Sequence, residues 1–250
     1  MTHLIRIGVG GWTYEPWRGV FYPEKLSQKK ELAHMAGRLT SIEINGTYYS
    51  SFKPDTWMKW RDETPDDFVF AVKASRFCTN RKVLTDAAGS IEMFLNQGLT
   101  HLGPKLGPIN WQFMATKTFD PEDFEGFLKL LPAEKDGLRL RHALEVRNGT
   151  FEGPAFYDLA AKYGCAIIYA EDPEAPEWPR MDQNTTDFRY ARLMTSREDQ
   201  PTGMTSEELD AVATRARAWA QGGDVFSYFI SGAKLRNPAA AEALIEKMKA

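Results

Sequence analysis

Residues 5–12 read IRIGVGGW. The β-branched run Ile5–Val9 predicts a strand, and no GxGxxG turn of the kind that opens a dinucleotide-binding sheet follows it. Seven further short β-rich runs lie outward from it, at Ser41–Asn45, Phe68–Lys73, Ile109–Met114, Ala143–Arg147, Ala166–Ala170, Phe188–Leu193 and Asp224–Ile230. Helical periodicity fills the intervals at Glu24–Arg38, Pro54–Glu63, Ala88–Gly98, Pro121–Leu131, Gly153–Lys162, Ser206–Gln221 and Pro238–Lys249. Only the proline-bearing stretch after the sixth strand, EDPEAPEWPRMDQNTTD, lacks a helical period and reads as a loop. Strands alternating with helices imply right-handed crossovers and a parallel sheet. An open doubly wound sheet is the competitor. Eight units in 250 residues, without the glycine-rich turn, favour closure into a single TIM-type (β/α)8 barrel over residues 1–250.

Bulk composition narrows the function classes. With 43% hydrophobic and 26% charged residues, the chain is an ordinary globular domain, and its net charge of −3 gives no global attraction to nucleic acid or anionic membrane. The N-terminus enters the first strand without a basic region and long apolar run, and no later apolar run reaches the ~18 residues of a membrane span. The expectation is a soluble cytoplasmic protein with no membrane partner. Cys78 and Cys165 belong to no metal or redox spacing and read as buried reduced thiols. The oligomeric state is not legible.

Three stretches carry a family resemblance: IGVGGWTYEPWRGVFYP at residues 7–23, EINGTYY at 43–49 and ALEVRNGTF at 143–151, with a weaker match in YFISGAKLRNPAAAEAL at 228–244. The chain thereby resembles the YecE-like proteins, also called domain of unknown function 72, across nearly its whole length. The resemblance implies a TIM-type barrel and no settled activity. The chain departs from the family pattern at Gly46, where a serine is usual, near Asn148, where a histidine is usual, and at Tyr228–Ser231, where a Phe-Asn-Asn type sequence is usual.

Alternation along each strand sorts side chains onto two faces. Ile42 and Ile44 face the helices, so Glu43 and Asn45 face the lumen; likewise Leu144 and Val146 turn outward, leaving Glu145 and Arg147 inside. The seventh strand sends Tyr190 and Arg192 inward, the third and fourth end on inward Lys73 and Gln112, and Gly8, Gly10 and Trp12 line the first. Barrel lumens are ordinarily filled with aliphatic layers, so charges at the C-terminal strand ends must pair, be hydrated or meet a ligand. Glu43, Lys73, Glu145, Arg147 and Arg192 are expected in one pocket with Asn45 and Gln112 bridging them, and two readings stand: a self-satisfied ion-pair lattice, or a ligand site at the end where barrels place their chemistry. Trp12, Tyr14, Trp17, Phe21, Tyr48 and Tyr49 gather at the same rim, with Trp17 and Phe21 read as covers of the mouth and the others as faces for a ring.

The chemistry implied is acid/base or anion binding. Glu43 and Glu145 are the candidate catalytic pair for a hydrolase or isomerase. Trp12, Tyr14, Asn45, Tyr48, Lys73, Gln112, Arg147 and Arg192 are the candidate ligand contacts, with Lys234 and Arg236 as further cations for a phosphate or carboxylate. No HxH, HxxH or HExxH spacing occurs, His3, His101 and His142 precede strands, and no zinc site or other cofactor is expected. A carboxylate-held Mg²⁺ or Mn²⁺ stays open through Glu43, Glu145 and Glu171. No nucleophile elbow or P-loop is present. The sequence thus points to a small anionic, ring-bearing ligand such as a sugar phosphate or nucleotide, handled by an enzyme or, alternatively, held by a non-catalytic ligand- or nucleic-acid-binding barrel.

Overall fold

The computed structural model describes residues 3–249. Eight parallel strands, β1 (Ile5–Gly10), β2 (Ser41–Ile44), β3 (Val69–Lys73), β4 (Leu106–Gln112), β5 (His142–Glu145), β6 (Cys165–Glu171), β7 (Phe188–Leu193) and β8 (Asp224–Phe229), close into a barrel as β8 pairs back onto β1. Outside it run α1 (Glu31–Ala36), α2 (Pro54–Asp62), α3 (Arg76–Thr79), α4 (Ala88–Leu95), α5 (Pro121–Lys129), α6 (Pro154–Lys162), α7 (Ser206–Trp219) and α8 (Asn237–Lys249). Closure removes the unpaired edges that an open sheet would expose.

The period-2 reading of the strands holds because the two faces meet different environments. Ile7, Val9, Ile42, Ile44, Leu144, Val146, Ala191 and Leu193 belong to the outer core between strands and helices. A separate lumen core holds Val69, Ala71, Ala143, Ala166, Ile168, Ala170, Tyr190, Phe226 and Tyr228. Four of these are alanines, and their small volume leaves room in the barrel for two tyrosines and the long charged chains above them. Gly8 serves the same end. A Cβ there would lie 1.9 Å from the Ser41 carbonyl oxygen, so only glycine lets β1 approach β2 at that level.

Helix starts follow local chemistry. Asp120 caps α5 by accepting from the Glu122 and Asp123 amides at 3.1 and 3.2 Å, and Thr205 and Glu208 form a reciprocal capping box on α7. Other expectations need correction. The helix read over Glu24–Arg38 is only Glu31–Ala36, preceded by a short 3₁₀ turn at Gln28–Lys30, because Ser27 is extended and Leu26 closes a turn onto Pro23. The helix read to Gly98 ends at Leu95, with Gly98 left-handed. The fourth strand starts at Leu106 rather than Ile109 and ends at Gln112, since Gly107 and Pro108 hid its beginning in the sequence. A small antiparallel ribbon, Glu134–Lys135 with Leu138–Arg139, turns on left-handed Asp136 and Gly137. The Asp-Gly pair is the hairpin signal that marks it. No helix among the described residues is long and apolar enough to cross a membrane.

Candidate functional site

The register of the closed sheet gathers the inward side chains at one level: Gly10 stands beside Glu43, Lys73 beside Asn110, and Gln112 beside Glu145. Arg192, near the end of β7, reaches into the middle of this ring. Its Nη1 donates to Glu145 Oε2 at 2.6 Å and its Nη2 to Glu43 Oε1 at 3.1 Å. Arg147, just past β5, donates through Nε and Nη2 to Glu145 Oε1 at 2.9 and 2.6 Å and through Nη2 to Gln112 Oε1 at 2.9 Å. Its guanidinium carbon sits 4.0 Å from the Trp178 ring centre. Asn110 Nδ2 reaches both Glu43 Oε2 and Glu145 Oε2, at 3.3 and 3.2 Å, and the Tyr190 hydroxyl donates to Glu43.

The result is a lattice in which two carboxylates and two guanidiniums balance. Both glutamates are 0% exposed. Burial alone would raise the Glu145 pKa, but Arg192, Arg147 and Lys73 overcome it and hold the carboxyl at about 2. Glu145 and Glu43 in turn hold Arg192 firmly charged against its own burial. Tyr190, fully buried against the Glu43 carboxylate, is pushed well above its ordinary range and stays a neutral donor.

Lys73 belongs to the same ring but not to the pairing. Among the described residues its ammonium forms no ion pair or hydrogen bond; it lies over the face of Tyr48, 4.4 Å from Nζ to the ring centre. Burial first and the Arg192 cation second lower its pKa to about 8, against the partial opposition of Glu145 and Glu43. Lys234, in the loop after β8, likewise has no anionic partner and lies 4.3 Å over the Tyr14 ring, with burial lowering its pKa.

Both lysines border a cavity of about 620 Å³ at the C-terminal mouth. Its walls carry four aromatic side chains, Trp12, Tyr49, Phe52 and Trp60, and three cations, Lys73, Arg192 and Lys234; among the described residues no carboxylate lines it. Trp12 and Trp60 meet edge to face at 5.0 Å. Asn45 and Asn237 add amides, and the Asn237 Oδ1, buried, has no donor among the described residues. Of the residues read from sequence as ligand contacts, Trp12, Asn45, Lys73 and Arg192 line this cavity. Tyr14 and Tyr48 lie beneath its lysines, and Gln112 and Arg147 belong to the lattice rather than to the cavity wall.

Several placements differ from the sequence reading. Asn45 does not bridge the charges; β2 ends at Ile44, and the Asn45 side chain turns back to the Glu43 carbonyl at 3.4 Å. Asn110 does the bridging instead, and it could have been found, since it shares the inward parity of Gln112 two residues on. Glu171 cannot join Glu43 and Glu145 around a metal. It lies on the outward parity of β6 and is taken up by Arg180 and Arg215 at 3.4 Å each. Among the described residues no cluster of three or more His, Cys, Asp or Glu side chains is placed to hold a metal ion. His142 is a core group. Trp111 Nε1 donates to its Nδ1 at 3.0 Å, its Nε2 meets the Pro132 carbonyl at 2.8 Å, and burial lowers its pKa to about 4, so it is neutral. Trp17 and Phe21 are buried against Tyr22 and His34, with Trp17 Nε1 donating to the Lys234 carbonyl at 2.9 Å.

Comparison with known proteins gives a consistent picture. A family described as "Protein of unknown function DUF72" matches residues 6–250. The UPF0759 protein YecE of Escherichia coli K12 is 28% identical over 143 residues, covering 56% of this chain and 49% of that protein, so the match spans about half the length of that relative. In three dimensions the chain resembles a DUF72 family protein from Thermotoga maritima at TM-score 0.79 and 20% identity, with 99% of each chain covered. A second DUF72 family protein, from Enterococcus faecalis, superposes at TM-score 0.74 with 17% identity, over 99% of this chain and 98% of that one.

Proposed function

The chain belongs to the DUF72 family, and from that premise we propose that its barrel mouth binds a small anionic, ring-bearing molecule of the sugar phosphate or nucleotide class. One observation carries the reading: the mouth cavity is lined by three cations and no carboxylate among the described residues. Arg192 is already spoken for by Glu43 and Glu145. Lys73 and Lys234 are therefore uncompensated positive charges beside a cavity of ligand size, a surplus that a phosphate or carboxylate would neutralise. Trp12, Tyr49, Phe52 and Trp60 offer flat apolar faces to a sugar ring or base. The orphan Asn237 Oδ1 is an acceptor that a ligand hydroxyl satisfies.

In this reading Glu43 and Glu145 act as positioning charges. Every oxygen of the pair is engaged, both carboxyls are sealed from the cavity, and Glu145 is held ionised, which suits a group that fixes Arg192 better than one that trades protons with substrate. The overall charge of −3 weighs against a nucleic-acid partner. Isothermal titration with ribose 5-phosphate, adenosine monophosphate and neutral ribose tests the proposal. The two anions should bind with an affinity that falls as salt rises and weakens about tenfold in Lys234→Met, with ribose far weaker. Equal binding of ribose and ribose 5-phosphate, or no binding of either anion, defeats it.

A further inference from the structure

Lys73 has a chemical environment that anion binding does not require. A lysine meant only as a counter-charge is best left solvated, because a compact ammonium loses much hydration on burial. Here the residue is 9% exposed, at the end of β3, with Arg192 as a neighbouring cation and Tyr48 beneath it. Desolvation combined with an adjacent cation is the arrangement that keeps a useful fraction of a lysine as free amine. The amine also borders the cavity, and among the described residues no carboxylate ties it down. The other lysine with a lowered pKa, Lys234, lacks this combination, being less buried and sitting at the lip over Tyr14.

Resting on the reading of the mouth cavity as a ligand site, we propose that Lys73 captures an aldehyde or ketone carbonyl of the bound anion as a Schiff base. The Nζ lone pair forms a bond to the carbonyl carbon while the C=O π pair moves to oxygen. Transfer of a proton from nitrogen to that oxygen gives a neutral carbinolamine. Uptake of one more proton from solvent expels water and leaves a C=N⁺ iminium, with no oxidant or reductant consumed. The iminium keeps the charge that the site is built around: the Tyr48 face lies beneath the nitrogen, and the fields of Glu43 and Glu145 favour a cation there. Lys234 is left to hold the anionic end of the ligand. A free amine fraction of about one in ten at pH 7 follows from the lowered pKa of about 8, against about one in 2,500 for a lysine of ordinary pKa.

The test is reductive trapping of the full chain. Protein at pH 7.5 is incubated with ribose 5-phosphate or glyceraldehyde 3-phosphate and sodium cyanoborohydride, digested, and the modified peptides quantified by mass spectrometry. The Lys73 adduct should form at least tenfold faster than adducts at exposed Lys29 and Lys59, and should compete with excess inorganic phosphate. Lys73→Arg, which keeps the charge but offers no nucleophilic amine, should abolish that adduct. Saturable calorimetric binding of ribose 5-phosphate with labelling no faster at Lys73 than at Lys29 overturns the covalent step and leaves the binding site. Absence of both binding and Lys73 labelling overturns the two together.

Discussion

Two cavities of nearly equal size open toward the C-terminal end of the barrel strands, and their charges differ in sign. One, of about 650 Å³, lies outside the sheet between β6, β7 and α7; the other, of about 620 Å³, is the mouth itself. The outer cavity is lined by Glu171, Glu174, Glu198 and Glu208 against two cations, each of them paired: Arg197 with Glu208 at 2.7 Å and Arg215 with Glu171 at 3.4 Å. The mouth has cations in excess and, among the described residues, no lining acid. Volume does not separate them; charge balance does. A cleft whose cations already have partners is a finished piece of surface, whereas one with a buried unpaired cation, Lys73, carries an electrostatic cost that a bound anion removes.

The same contrast runs within the mouth, between Arg192 and Lys73, and this yields the largest expected effect. Arg192→Ala leaves Glu43 and Glu145 sealed in the lumen with their shared counter-ion gone. Breaking a buried network in this way costs about 3–5 kcal/mol, so the melting temperature should drop on the order of 10 °C for a domain of this size. A melt within about 2 °C of the parent would show that the lattice is hydrated or open and that Arg192 is free to bind ligand.

Lys73→Met should move stability the opposite way. The folded pKa of about 8 lies below the unfolded value near 10.4, so between these pH values the unfolded chain binds more protons and stability rises with pH. Below pH 8 the buried ammonium exacts its full penalty, up to about 3 kcal/mol, which an apolar side chain of similar length relieves. Urea denaturation of the parent at pH 7 and pH 10 should show an upward step that Lys73→Met lacks, and the variant should be the more stable at pH 7. Equal stability at pH 7, with the same pH step in both proteins, would mean that Lys73 is well solvated.

Much of this was legible in the sequence, for a reason that also explains what was not. Alternation is a local rule, so Glu43, Lys73, Glu145, Tyr190 and Arg192 fall on the lumen side by parity alone, and the barrel follows from eight β-rich runs separated by helical ones. What each charge does once inside depends on which partner reaches it first, and that is set by the register between strands far apart in the chain. Arg192 sits 149 residues from Glu43 and 47 from Glu145. Pairing with both removes the arginine from the list of free cations and leaves Lys73 on it. Asn45 failed as a bridge because β2 ends one residue early, a boundary that pattern reading places poorly. Glu171 failed as a metal ligand because one residue of parity turns it from lumen to helix side.

The smallest expected effect is the control that keeps the comparison sharp. Arg197 in the outer cavity is 42% exposed at its side chain and paired with an equally exposed Glu208, so it is a surface ion pair in physical terms. Such pairs are worth about 0–1 kcal/mol because water screens them and ordering two long side chains costs entropy. Arg197→Ala should therefore shift stability by less than about 1 kcal/mol and leave phosphate and ribose 5-phosphate affinity unchanged. The capping box on α7 survives the change, since Thr205 still accepts from the Glu208 amide and Glu208 still accepts from the Thr205 amide at 2.7 Å. Isothermal titration beside a thermal melt reads both quantities on one sample. A tenfold loss of ribose 5-phosphate affinity in Arg197→Ala, with Lys234→Met unaffected, would transfer the anion site from the mouth to the outer cavity. It would also show that unpaired cations are a poor guide to where this barrel holds its ligand.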